Sequence, residues 1–268
     1  MTQNPDAPVL LDQSDGIATV TLNRPKTLNA LSEEMLAALQ STLDRIGQDQ
    51  TIKVVILRGQ GAHFCAGHNL KEMTGHRQNA DGGQAYFNKL FATCSKMMMS
   101  IVQLPQPVIA EVQGIATAAG CQLVATCDLA IASDTATFAT SGVNIGLFCS
   151  TPMVALSRNV TRKHAMEMLL LGEFQPAKRA AEIGLVNQVV PQELLAESTR
   201  KMAEKIVSKA PVAIKIGKEG FYKQADMDLA EAYSFTGAAM AENMMALDTE
   251  RGIQSFLAKE PMPEWTGE

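Results

Sequence analysis

Apolar and polar positions alternate early in the chain. Val9 to Leu11 form one short run, and Ile17, Thr19 and Thr21 alternate with Ala18, Val20 and Leu22 in the next. The intervening Gln13-Ser14-Asp15-Gly16 is rich in turn formers, so the pattern predicts a β-hairpin. After Asn23-Arg24-Pro25 the period changes. Ser32 precedes Glu33 and Glu34, and Met35, Leu36, Leu39, Leu43 and Ile46 recur at helical spacing. That predicts an amphipathic helix capped by Ser32, with Leu31 and Leu36 placed as a hydrophobic staple. Val54 to Leu57, Val108 to Val112 and Leu129 to Ala132 are short β-branched runs bounded by turn residues, and they read as buried strands. Helical patterns lie between and after them: Gln84 to Val102, roughly Cys121 to Thr126, and Lys163 to Leu171 closed by Gly172. From about Glu197 the strand signals stop. Ala213 to Lys223 and Leu229 to Ala246 read as helices, which divides the chain into a core over 1–196 and a helical region over 197–268. Met97-Met98-Met99 falls on a helix and reads as core packing.

Composition narrows the function. The chain has 268 residues, 46% hydrophobic and 19% charged, which suffices for one large domain or a core with an appendage. The net charge of −5, without a Lys/Arg block, argues against a nucleic-acid partner and leaves any anionic ligand to a few local cations. The N-terminal residues lack a basic stretch followed by an apolar one, and no apolar run approaches the ~20 residues of a membrane span. Five cysteines without CxxC spacing suggest a reducing compartment, and four histidines without HExxH or HxH predict no metal site.

Four segments carry a more specific signal. They are TLNRPKTLNAL (Thr21 to Leu31), VVILRGQGAHFCAGHNLKEM (Val54 to Met73), QPVIAEVQGIATAAGCQLVATCDLAIAS (Gln106 to Ser133) and AAEIGLVNQVVP (Ala180 to Pro191). In this order they resemble the crotonase, or enoyl-CoA hydratase/isomerase, superfamily over most of residues 10 to 195. The resemblance implies an α/β fold, a crotonase-like spiral of ββα units with a helical C-terminal trimerisation region, assembled as a homotrimer or a dimer of trimers. It implies an acyl-CoA or enoyl-CoA thioester as ligand and no separate cofactor, coenzyme A being part of the substrate. The expected location is cytoplasmic, or the mitochondrial matrix for a eukaryotic source.

Position by position, the resemblance places two backbone N–H donors of an oxyanion hole on His68, which follows Gly67, and on Ala119, which precedes Gly120. Such donors each contribute ~3 to 4 kcal/mol to transition-state stabilisation when preorganised in a dry site. Lys26, Ala66, Leu70 and Lys71 fall near the adenine and phosphates of the coenzyme, and Phe256 and Lys259 fall where a neighbouring subunit's adenine is reached.

The two acid-base glutamates of the family fall on Gln122 and Gly142, neither of which transfers protons. Each such group contributes ~10²- to 10⁴-fold, so efficient hydration is doubtful and isomerisation loses its base as well. Gly142 is expected to leave room for a bulkier or carboxylated acyl group. His68, Asn144, Cys149, Ser150 and Thr151 are further candidates near the acyl pocket, with the Cys149 thiol expected to acidify at a helix start. Phe138 to Leu156, FATSGVNIGLFCSTPMVAL, is similar to the branch called enoyl-CoA hydratase domain-containing proteins, which also lack both carboxylates. The readings that follow are a nominal enoyl-CoA hydratase (a carbon–oxygen lyase of fatty acid metabolism) with unusual proton transfer, a noncatalytic acyl-CoA-binding protein, and an acyl-CoA decarboxylase or thioesterase.

Overall fold

Parallel pairing organises the structure, a computed structural model that describes residues 4–268. Strands β1 (Val9–Ser14) and β2 (Ile17–Leu22) form the predicted hairpin, with Val9 opposite Leu22 and Ser14 opposite Ile17. From β2 onward β3 (Val54–Gly59), β4 (Val108–Val112), β6 (Leu129–Ser133) and β9 (Gln188–Val190) add in parallel, giving the order β1-β2-β3-β4-β6-β9. A second, smaller sheet joins β5 (Ile115–Thr117), β7 (Thr137–Ala139) and β8 (Gln175–Pro176).

Helices α1 (Glu33–Gln48), α2 (Leu70–His76), α3 (Gln84–Gln103) and α4 (Ala119–Thr126) carry the chain between strands. The Ser32 hydroxyl accepts the Met35 N–H, as the sequence predicts, and Met35, Leu36, Leu39, Leu43 and Ile46 are all buried. Parallel strands need both faces covered. Ala18, Val20, Leu22, Val55, Leu57 and Ala110 turn to the main core with α1 and α3, while Ile17, Val54, Ile56 and Ile109 turn the other way. That second face is covered by Met202, Ala203 and Ile206 of α8 (Leu195–Val207). The helix beginning at the expected 196/197 boundary therefore packs under the sheet.

Helices α5 (Ser150–Asn159), α6 (Arg162–Leu171) and α7 (Ala177–Glu182) lead into β9. Beyond α8, helices α9 (Pro211–Gln224), α10 (Leu229–Met244) and α11 (Leu247–Ala258) carry large apolar residues to the surface, among them Phe221, Tyr233, Met240, Phe256 and Leu257. A buried polar knot fixes α9 to the core. The Lys218 ammonium donates to the carbonyls of Ile101 and Gln106 (both 3.0 Å) and to Asp128 Oδ2 (2.7 Å), while the Tyr222 hydroxyl donates to Asp128 Oδ1 (2.9 Å). Met97 and Met98 are core residues, whereas Met99, on the other side of α3, is half exposed. Among the described residues no helix is long and apolar enough to cross a membrane.

Candidate active site at two abutting turns

The turn after β3 and the turn into α4 meet backbone to backbone. Cys65 and Ala116 pair as a parallel bridge, with the Cys65 N–H donating to Ile115 O and the Thr117 N–H to Cys65 O (both 3.1 Å). Three small residues make this approach possible. A β-carbon on Gly120 would overlap the Cys65 carbonyl, and one on Gly67 would lie 3.0 Å from Ala118 Cβ and 3.2 Å from the Ala119 nitrogen. Gly67 also has φ +88°, open to glycine and strained for other residues. Ala118 takes φ 51° and ψ −120°, a conformation costly for a side-chain-bearing residue, and its N–H donates to Ala139 O at 2.9 Å.

This crowding sets the Ala119 nitrogen against Gly67, the residue before His68. Ala119 opens α4, so its N–H has no partner within the helix. Neither the Ala119 N–H nor the His68 N–H donates to an acceptor among the described residues. The free Ala119 donor, at the start of a helix buried along its whole length, favours negative charge there.

Neutral polar side chains belong to the two turns and to the strand end beside them. Gln122 lies one turn into α4 from Ala119, with its backbone N–H bonded to Ala118 O. Its side chain is 5% exposed and Oε1 is enclosed without a partner. The His68 ring packs edge-on against Phe91 and holds Leu31 O at 3.4 Å through Nδ1; its Nε2 is enclosed and unpartnered. Burial lowers the His68 pKa, so the imidazole is neutral at pH 7. Thr140 follows β7, and its buried hydroxyl is also unpartnered.

Two expectations are overturned here. Gly142 leaves no vacant space: a β-carbon there would overlap the Leu147 carbonyl and lie 2.9 Å from Cys149 Sγ, because the Leu147 N–H closes the loop onto Gly142 O at 2.9 Å. The Cys149 thiol does not acidify at the start of α5; burial pushes its pKa up. Burial likewise pushes the Cys65, Cys94 and Cys121 thiols up to about 12. All five cysteines are free and buried. Asn144 donates to Gly172 O at 3.0 Å, Ser150 is exposed and Thr151 is partly exposed.

The remaining candidates separate into two places. The segment holding Lys26 docks directly on the first turn, with the Ala66 N–H donating to Leu28 O (3.0 Å) and the Leu31 N–H to Gly67 O (2.7 Å). Leu28 and Asn29 both have positive φ there, and the buried Asn29 carboxamide takes the Arg24 N–H and donates to the Gln60 and His63 carbonyls. Lys26 sits on a short 3-10 turn (Pro25–Thr27), while Leu70 and Lys71 open α2; all three side chains are exposed beside the turn. Phe256 and Lys259 instead lie at the end of α11, which packs on α10. The positive φ of Ala118 and the pairing of Lys218 with Asp128 had no counterpart in the sequence reading.

Comparison with known proteins gives a consistent result. Residues 12–268 match the family model described as Enoyl-CoA hydratase/isomerase. The human enoyl-CoA hydratase domain-containing protein 3, mitochondrial, is 47% identical over 261 residues, covering 97% of this chain and 84% of that protein. Its crystal structure superposes with a TM-score of 0.91 over 96% of this chain and 100% of that one. A crystal structure titled enoyl-CoA hydratase from Mycobacterium smegmatis is 50% identical with a TM-score of 0.92, covering 96% and 98% of the two chains.

Proposed function

The chain belongs to the enoyl-CoA hydratase/isomerase family and has its α/β crotonase fold, and from that premise we propose that it binds acyl-CoA thioesters and polarises their carbonyl between the N–H groups of His68 and Ala119. The observation that carries this reading is the pair of backbone donors without protein acceptors, on two turns so close that a β-carbon on Gly67 would crowd Ala118 and Ala119. An enolate oxygen between them would be stabilised without reorganisation of the site. Lys26 and Lys71, exposed beside Ala66 and Leu70, would meet the phosphates of coenzyme A.

The reaction nominally associated with the family is hydration of an enoyl thioester. Here Gln122 could orient a water but not take its proton, and Gly142 offers no side chain. Turnover of crotonyl-CoA is expected ~10²- to 10⁴-fold below that of a relative with a carboxylate at either position, for each carboxylate lost. The filled space at Gly142 favours a second reading, thioester binding with little turnover. The filled space at Gly142 gives no such support to decarboxylation, which would need room for a carboxylated acyl group.

The exposed apolar residues of α9 to α11 support a homotrimer or dimer of trimers, in which Phe256 and Lys259 would serve a neighbour's site. Five free thiols and the mitochondrial relatives support a reducing compartment, the cytoplasm or a mitochondrial matrix. Calorimetric titration with butyryl-CoA and free CoA, alongside crotonyl-CoA hydration, tests the reading. Tighter binding of the thioester with slow turnover supports it; equal affinity for free CoA means that the acyl carbonyl is not engaged.

A further inference from the structure

We propose that the protein has a second small-molecule site, a cavity at the C-terminal end of the parallel sheet beside α8, where Arg58 and Glu111 together take a neutral ligand presenting an amide edge, an N–H beside a C=O. The site is separate from the two turns, and the inference goes beyond the acyl-CoA reading without resting on it.

Strand register assembles the site. Thr21, Arg58 and Glu111 are the penultimate residues of β2, β3 and β4, and they pair in one row across the sheet. By strand alternation they share the face of Ile56 and Ile109, which α8 covers, and not the face of Val55, Leu57 and Ala110, whose core includes Cys65 and Ala119. Arg58 and Glu111 line a cavity of about 250 Å³, bordered across from them by the start of α8 and by the short 3-10 turn before it (Gln192–Leu194). One water needs only ~10–15 Å³, so the space admits a small organic molecule.

The charged groups of this cavity are short of partners. The Glu111 side chain is 9% exposed, and Arg58 Nη1 stands 4.0 Å from its Oε1, too far for a hydrogen bond. The Thr199 hydroxyl lies beside the carboxylate but gives its proton to Leu195 O at 2.9 Å. Burial raises the Glu111 pKa, with Arg58 and Thr199 opposing the rise, as expected of a carboxylate with few donors. Arg58 spends Nε on Thr21 Oγ1 (3.1 Å), and its Nη1 and Nη2 make no hydrogen bond among the described residues. A guanidinium with free donors beside a carboxylate with free acceptors matches a ligand that accepts at one atom and donates at the next, which is an amide edge. An anion would meet Glu111 and Glu193 there, and a cation would meet Arg58. Leu195 and Ala196 give an apolar wall for the body of the ligand. A ligand that leaves the buried Glu111 carboxylate unpaired is discriminated against.

The test titrates benzamide, benzamidine and benzoate by ligand-observed NMR against the full chain and against Glu111→Leu and Ala196→Phe. Benzamide carries the amide edge, benzamidine donors alone and benzoate acceptors alone. The expected result is benzamide binding at least about tenfold tighter than either of the others, with that binding lost in both variants. Ala196 is exposed at the cavity wall, so Ala196→Phe fills the space without touching the charged pair and keeps the test open where Glu111→Leu fails to fold. Benzamidine or benzoate binding as tightly as benzamide would overturn the amide-edge assignment. Benzamide binding that survives Ala196→Phe would lie elsewhere and overturn the site, and absence of benzamide binding at millimolar concentration would leave the pair to water and overturn the inference.

Discussion

The carbonyl oxygen of Leu147 lies within clashing distance of the position that a β-carbon on Gly142 would take, and Cys149 Sγ lies 2.9 Å from the same point. The loop from Gly142 to Leu147 is closed by its own hydrogen bond, so any side chain at 142 must open it. Gly142→Ala and Gly142→Glu are each expected to destabilise the protein by about 1–3 kcal/mol, read as a lowered midpoint in urea. Gly142→Glu should also fail to raise crotonyl-CoA hydration, because its carboxyl enters only by displacing the loop.

Ala118 sits in a conformation better suited to glycine. Ala118→Gly removes a strain of about 1–3 kcal/mol and adds a flexibility cost of roughly 0.5–1 kcal/mol. A net rise in thermal midpoint is expected, with thioester affinity retained because the Ala119 N–H is untouched. Differential scanning fluorimetry with and without butyryl-CoA reads both.

Burial sets the sign of a pH effect at His68. Its pKa in the folded protein lies below the ordinary value of 6.5, so below about pH 6.5 the unfolded chain binds a proton that the folded one refuses. The stabilisation is present above that value and is lost as pH falls through the folded-state pKa. Urea midpoints between pH 7.5 and 5 should therefore fall less steeply for His68→Phe, which keeps the backbone N–H and an aromatic ring against Phe91.

Lys218 and Asp128 illustrate a buried pair whose partners are worth little apart. The Lys218 side chain is 6% exposed, and its ammonium satisfies two carbonyls as well as the carboxylate. Lys218→Met should cost about 3–5 kcal/mol by leaving Asp128 and both carbonyls short of a donor. Substituting Lys223, an exposed residue on the same helix paired with Glu219, should move stability by less than ~1 kcal/mol.

The features legible in the sequence are those with a local cause. Ser32 announces α1 through its own hydroxyl, the β-branched runs announce β3, β4 and β6, and Ala66-Gly67-His68 with Ala118-Ala119-Gly120 mark the two turns. What stayed hidden depends on distant partners. Helix α8 has an amphipathic pattern that does not name the sheet face it covers, Lys218 and Asp128 are 90 residues apart, and two- or three-residue strands such as β8 and β5 are too short to show a period. At Gly142 the missing side chain was visible, but whether it left a cavity depended on the path of the chain through Leu147 and Cys149.

The central claim is that the His68 and Ala119 N–H groups polarise a thioester carbonyl, and infrared difference spectroscopy of butyryl-CoA labelled with ¹³C at that carbonyl tests it most directly. The account predicts that the labelled C=O band moves to lower frequency on binding, and that Gly120→Ala, whose β-carbon would push the two turns apart at Cys65, reduces the shift. A bound thioester whose carbonyl band stays at its solution frequency would contradict it.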